Sequence, residues 1–511
     1  DCRREHRTEE AGSVPLMAKK TREVRVPALR RADDVRLSGL APTGAGTVEI
    51  EGLEVVVPGA LPGDRAAFDW RPPMPGGRRG LAEGEVRILE KSPLRGASPL
   101  ERCTKAGRCG GCPMACLRYD AEIELKWRQL LKDELAAAGF DADALCTEPL
   151  QQPEAARTGF RNKAVLYPCR ESAPNGRGRF GFFRAGTHEV VPAEDCPLAP
   201  AWMHEAARIG ASLMDTPAAG EEDLFAPYDE SSGTGSVRAL LMREGAPAAG
   251  ATRGERLVTL VLRERPSEAA VARIRSAFAA LPLEHLSFNV HPNPGNAVLG
   301  FEEGATHVIE GREAIETTLE GLSFEVRPET FLQVNTPQTP RLYERALSLL
   351  ELSPEDGFLD LYSGIGTITL LGAKRARRAL GIEIVAPSVA CAEVNARRNG
   401  IQNARFLCGP VESVLASDAF RAEAAASRFP KAIVDPAYKG LASGVAQALA
   451  AIGLERIVYV ACGPKNFVRD AKCFAALGYR LVRVEAVDLF PGALHIEAVG
   501  LFVKEAGESD T

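Results

Sequence analysis

The stretch RIVYVACGPKNFVRD, Arg456–Asp470, carries an apolar strand-like run that ends on Cys462, and Gly463 and Pro464 break the chain directly after it. A thiol at the lip of a buried strand is either a small apolar filler or a nucleophile presented at a sheet edge. Further on, DLFPGALHIEAVGLFVK places Glu497 just inside an apolar strand. A carboxyl there is costly unless it is paired, reached by solvent or held neutral. Held neutral, with a raised pKa, it suits proton transfer. A third acid, Asp435, ends the run KAIVD, where a turn or helix cap is the plainer role.

FLDLYSGIGTITLLGAK joins a strand to a helix through Gly364 and Gly366, and Glu383 ends the next strand in ALGIEIV. Small residues let a ligand approach the backbone closely, and the acid can accept from both ribose hydroxyls of a nucleoside. The pattern lacks G-x-G-x-x-G, so it predicts an S-adenosylmethionine site rather than a dinucleotide site. Beside a methyl donor, thiol and carboxyl suggest methylation of a carbon that is not nucleophilic alone, such as C5 of uracil. A thiolate adds to C6, the enriched C5 takes the methyl group, a base removes the C5 proton and the thiol leaves. The thiol must be partly ionised, so a cation or helix N-terminus is expected nearby. A base within folded RNA must also be extruded.

A second group of thiols stands apart. Cys103, Cys109, Cys112 and Cys116 crowd together in a chain with 12 cysteines. With one more distant cysteine, Cys103-x5-Cys109-x2-Cys112 supplies four thiolates, which fits a [4Fe–4S] cluster or zinc. A disulfide framework is not expected in a long chain with no secretory signal.

The elements that must position these groups divide the chain of 511 residues. Residues 1–20 are charged and aperiodic and are expected to be a disordered extension. Residues 21–95 alternate apolar and polar positions between Gly and Pro turns, which predicts a small OB-like barrel. Residues 96–325 hold the cysteines and a mixed α+β region, with a helix over about 119–140. Residues 326–506 alternate strands with helices and predict a doubly wound, Rossmann-like sheet. The fold class is thus multidomain, α+β and α/β. No apolar run reaches membrane-span length, so a cytoplasmic location follows. Net charge is −6, which does not itself favour nucleic acid. Arg157, Arg161, Lys163, Arg170, Arg177, Arg179 and Arg184, however, alternate with Phe160, Tyr167, Phe180, Phe182 and Phe183. That mixture suits phosphate contact and base stacking, or a solvated face over a strand pair.

These motifs resemble those of the iron–sulfur-containing RNA uracil-5-methyltransferases that act on ribosomal RNA, over nearly the whole chain from about Thr21. CTKAGRCGGC resembles their cluster motif, FLQVN, YVACGPKNFVRD and DLFPGALHIE their catalytic motifs, and the barrel their TRAM domain. The resemblance implies Cys462 as nucleophile and Glu497 as base. It implies Gln333, Tyr362, Gly364, Gly366, Glu383 and Asp435 around the methyl donor and uracil. It also implies a [4Fe–4S] cluster on Cys103, Cys109, Cys112 and Cys196; Cys116 and Cys169 are rival fourth ligands, and the helix over about 119–140 is expected to pack on the catalytic domain. A cytoplasmic monomer acting on 23S ribosomal RNA is expected. Transfer RNA is the rival substrate; a non-catalytic RNA-binding factor and a cytosine-5 enzyme are further alternatives. DPAYKG departs from the family's Asp-Pro-Pro-Arg, placing Tyr438 where arginine is usual, and Gly463 replaces an asparagine.

Overall fold

The structure is a computed structural model. It describes residues 27–505 apart from 42–43, 75–76, 97–99, 101–102, 173–175, 185–186, 218–221 and 296. The expected extension over residues 1–20 lies outside the described residues.

Alternating apolar residues fold the N-terminal region into one six-stranded sheet around Val55, Val57, Phe68 and Trp70. Its two edges, Arg30–Arg36 and Gly39–Leu40, are consecutive segments of one stretch. Ser38 between them donates to the Thr47 carbonyl, which curls the sheet back on itself.

The middle region builds a seven-stranded sheet. Thr306–Gly311 lies at one edge; then come His285–Val290, Arg256–Leu262, Val237–Glu244, Lys163–Arg170, Gly178–Phe183 and Val190–Pro192. One face carries Ala164, Leu166, Leu240 and Met242 under the helices Ala201–Ser212 and Glu268–Phe278. The opposite face, through Ala239 and Leu241, shares a core with Leu342, Val487 and Leu489 of the C-terminal region. The hairpin Ile315–Leu319/Leu322–Val326 joins that same core.

The third sheet has seven strands, in the order Ala404–Cys408, Arg378–Glu383, Gly357–Leu361, Lys431–Val434, Arg456–Ala461, Glu497–Lys504 and Tyr479–Val487. The first five run parallel, and Glu497–Lys504 inserts antiparallel. Strand order reverses between Gly357–Leu361 and Lys431–Val434, which is where open α/β sheets bind ligands. Strands buried on both faces read as apolar runs, as IVYVA does.

The expected helix over 119–140 is continuous from Tyr119 to Ala137, but its middle, Leu125–Lys132, widens to a π-helical form. Trp127, Leu131 and Leu135 bury against the catalytic core, so this helix docks on the C-terminal sheet. Each fully buried leucine there contributes about 1.5–3 kcal/mol. No helix among the described residues is long and apolar enough to cross a membrane.

Candidate active site

The turn after strand Gly357–Leu361 lies at the strand-order reversal. Tyr362 (φ 66°) adopts a left-handed backbone, a strained state for a non-glycine residue, and Gly364 (φ 54°) and Gly366 (φ 83°) follow. A side chain at Gly364 would enter open space, whereas at Gly366 it would strike Phe406. The Glu383 carboxylate accepts from Gly364 N–H (3.0 Å) and Val385 N–H (2.8 Å), which fixes it beside the turn. Below it, Asp360 is buried and accepts from Thr369 Oγ1 (2.5 Å), while its Oδ1 and Ser363 Oγ have no protein partner. Burial pushes Asp360 up to about 7, and Asp435 and Glu383 add to the effect. Open space, a fixed carboxylate and orphaned polar atoms together fit a nucleoside-bearing donor. Tyr362 packs against the core of the C-terminal sheet, with its hydroxyl toward the Ala442 backbone.

Cys462 follows its strand directly, and the helix Pro464–Ala476 begins two residues later. Ala461 pairs with Ala498, so the antiparallel register sets Cys462 opposite Glu497. Glu497 is 2% exposed. Burial raises its pKa well above the usual range, and Asp435 raises it further. Asp435 is pushed up to about 7 by burial, opposed by a hydrogen bond from Gln333. Cys462 is pushed up to about 12 by burial, then by Glu497 and Asp435. The expected activating cation is thus replaced by two carboxyls; of the two features predicted to ionise the thiol, only the helix N-terminus is in place. Buried acids of this kind hold protons near neutral pH, so the pocket is built to pass protons rather than to store a thiolate.

Sequence reasoning missed two groups here. Asp360 is hidden inside an apolar strand, with no spacing to mark it. His495 lies edge-on to Tyr438 (5.5 Å) and Phe490 (5.8 Å), and its ring faces the Cys462 carbonyl. Its place two residues before Glu497 is a signal that could have found it. The two departures from the family pattern meet: a side chain at Gly463 would lie 3.4 Å from the Tyr438 ring. The Asp435–Leu441 loop is tied to the helix after the nucleophile. Asn466 donates to Tyr438 O (2.6 Å), Arg469 to Lys439 O (3.0 Å), and Asp470 accepts from Leu441 N–H (2.9 Å).

Cys103, Cys109, Cys112 and Cys196 line one small, almost wholly apolar cavity of about 30 Å³ together with Arg161. Burial pushes Cys112 up to about 12 and raises Cys109 and Cys196, while the Arg161 guanidinium pulls all three down. Arg161 Nε has no protein partner. Four thiols and an orphaned guanidinium nitrogen thus surround one small apolar space. Among the described residues, no three His, Cys, Asp or Glu side chains are grouped as they would be around a metal ion. Of the rival ligands, Cys116 lies by Arg95 and packs with Leu61 and Met114, and Cys169 lies by Glu194.

The basic stretch differs from expectation. Arg170 pairs with Asp223, Arg179 with Glu194 and Glu171, and Arg184 with Glu189, while Arg157 stacks on Tyr119. Tertiary folding brings in acids that a local count cannot see. Phe160 and Phe180 are core residues. Tyr167, Phe183 and His188 instead stack in a row (4.0 and 5.3 Å) along a cleft of about 1010 Å³ that Arg184 and Arg238 also line.

A glycine turn and ribose-type acid at the reversal point of a doubly wound sheet, next to an opposed thiol and carboxyl, define a methyltransferase. The comparisons narrow the class. The tRNA (uracil-5-)-methyltransferase family model matches residues 311–506. An "uncharacterized RNA methyltransferase" of Streptococcus mutans is 31% identical over 92% of this chain and 98% of its own. A relative of the same description in Caldanaerobacter subterraneus is 31% identical over 92% and 97%. The solved tRNA (uracil-54, C5)-methyltransferase of Pyrococcus abyssi, in complex with S-adenosyl-L-homocysteine, superposes with a TM-score of 0.68. It is 24% identical and covers 92% of this chain and 100% of its own, so it speaks to the fold. The chain belongs to the RNA uracil-5-methyltransferase family.

Proposed function

We propose that this protein uses S-adenosylmethionine to methylate C5 of a uridine in structured RNA, ribosomal RNA first, through a covalent Cys462–C6 adduct. The observation that carries the reading is the register that sets Cys462 opposite Glu497, with Asp435 felt by both. Gln333, Gly364, Glu383 and Asp435 would hold the donor and the uracil ring. When bound, the donor supplies an electrophilic methyl group. Cys462 adds to C6 and gives its proton to the pocket, where Asp435, near 7, is placed to accept it. Glu497 must first release to solvent the proton that burial holds on it, and as a carboxylate it then takes H5; the C5–H electron pair restores the C5–C6 double bond, the C6–S bond breaks and the thiolate regains its proton from Asp435.

The curled N-terminal sheet supports an OB-like, RNA-binding barrel, and the stacked ring row offers a platform for unpaired bases. The shared thiol cavity with Arg161 supports a [4Fe–4S] cluster on Cys103, Cys109, Cys112 and Cys196, with a structural role because four protein ligands leave no iron open. Reduced thiols and an RNA substrate fit the cytoplasm. A second reading takes transfer RNA as substrate, and both the matching family model and the Pyrococcus abyssi neighbour favour it. Nucleoside mass spectrometry of separated ribosomal and transfer RNA from a strain lacking the gene tests both. Loss of 5-methyluridine from ribosomal RNA supports the first, loss from transfer RNA the second, and loss from neither contradicts both.

A further inference from the structure

Lys126 is fully buried in the π-helical segment, far from any role in the chemistry above. It donates to Asp488 Oδ1 (2.9 Å) and to the Phe490 carbonyl (2.9 Å), and it pairs with Glu122 one turn earlier. Glu122 in turn accepts from Gly492 N–H (2.7 Å). Tyr119 donates to the other Asp488 oxygen (2.8 Å) and accepts from Gln152 N–H (2.8 Å). The same turn is held from a third side. Asn335 donates to Leu489 O (2.7 Å), and Gln338 to Asp488 O (3.0 Å). Met114, next to the thiol lobe, donates to Gly492 O (2.9 Å).

Apart from the Lys126–Glu122 pair and the Gln152 N–H to Tyr119 bond, these bonds all end on residues 488–492. That turn leaves strand Tyr479–Val487, whose last residue pairs with Glu497. Asp488 is therefore one residue from the rung that carries the base. A buried lysine between two carboxylates gains little stability over an apolar packing, but removing one partner leaves uncompensated buried charge. Such a cluster fixes a geometry. We infer that Lys126, through Asp488 and Glu122, is a positioning residue that sets the Glu497 carboxyl for removal of H5. Tyr119, Glu122 and Lys126 belong to the docked helix and Asp488 to the turn after the sheet strand, so the helix completes the site rather than merely covering it.

The inference rests on the adduct mechanism proposed above, and one experiment separates the two. With 5-fluorouridine RNA, thiol addition and methyl transfer proceed, but no H5 exists for a base to remove, so the adduct forms without Glu497. With ordinary RNA, release requires the base. In Lys126→Met, turnover on ordinary RNA should fall about 100-fold, as for a misplacement of order 1 Å. The rate of 5-fluorouridine trapping should stay within about threefold of wild type, and a methylated adduct on Cys462 should accumulate with ordinary RNA. Tyr119→Phe, which keeps the packing and loses only the hydroxyl, should show the same split at smaller size and keeps the test alive if Lys126→Met does not fold. Turnover and trapping falling together in a folded variant, or turnover unchanged in both variants, would overturn the positioning role. Absence of any trapped adduct in the wild-type enzyme would instead overturn the mechanism beneath it.

Discussion

Two thiol sites flank the loop over residues 488–496; burial raises both, and their charged neighbours differ. Cys462 is raised by burial and by two carboxyls, while Cys109, Cys112 and Cys196 are raised by burial and lowered by one guanidinium. Under the proposed function Cys462 is the sulfur that would bond and leave within each turnover. The second group would hold a metal–sulfur cluster under the same proposal, and the Arg161 guanidinium beside it partly offsets the effect of burial. The proposed function gives the same residue type two tasks, with carboxyls beside one site and a guanidinium beside the other. Gly492 lies against Cys112 and also anchors to Glu122, so the two sites share one turn.

The contrast can be broken most sharply at the nucleophile. Cys462→Ala should lower methylation by about 10⁴-fold or more, measured by methyl incorporation into RNA, with no change in bound iron. Cys112→Ser should do the reverse in kind. Iron and sulfide, about four of each per chain in anaerobically purified wild type, should be lost, and 5-fluorouridine trapping on Cys462 should fall only as far as the loop loosens. Zinc in place of iron would contradict the cluster.

A smaller effect tests the donor pocket. Asp360 is near 7 in the fold against an ordinary 3.8, so the folded state keeps a proton that the unfolded chain releases between those values. Folding stability from this group is therefore highest below about pH 4, falls as pH rises toward 7 and is flat above. Asp360→Asn should leave the melting temperature unchanged at pH 4 and raise it relative to wild type at pH 7.5, read by thermal denaturation. The smallest effect belongs to the ring row. Phe183→Ala should weaken RNA binding by about 1–3 kcal/mol, seen in KM for RNA with kcat little changed.

Much of this was legible before any coordinates. Apolar runs bounded by glycine turns marked the doubly wound sheet, because strands covered on both faces have no polar positions to hide them. Cys462, Glu497, Gly364 and Glu383 stood out as polar or small residues at the ends of such runs. The shared cavity of Cys103, Cys109, Cys112 and distant Cys196 depends on the resemblance, since spacing alone offers Cys116 as readily. The basic stretch is less cationic than its sequence, because Asp223, Glu189 and Glu194 pair with it from outside the window or across the hairpin. Asp360 and Lys126 were silent for a related reason. One looks like an interruption in a strand and the other like a surface lysine on an amphipathic helix, until the fold buries both.

The central claim is a transient bond from Cys462 to the pyrimidine ring, resolved by Glu497. The most direct measurement is intact-mass and peptide analysis of the enzyme mixed with S-adenosylmethionine and 5-fluorouridine RNA. The account predicts one RNA adduct per chain, mapped to the peptide carrying Cys462 and absent from Cys462→Ala. An adduct on another residue, or one that persists in Cys462→Ala, would contradict it.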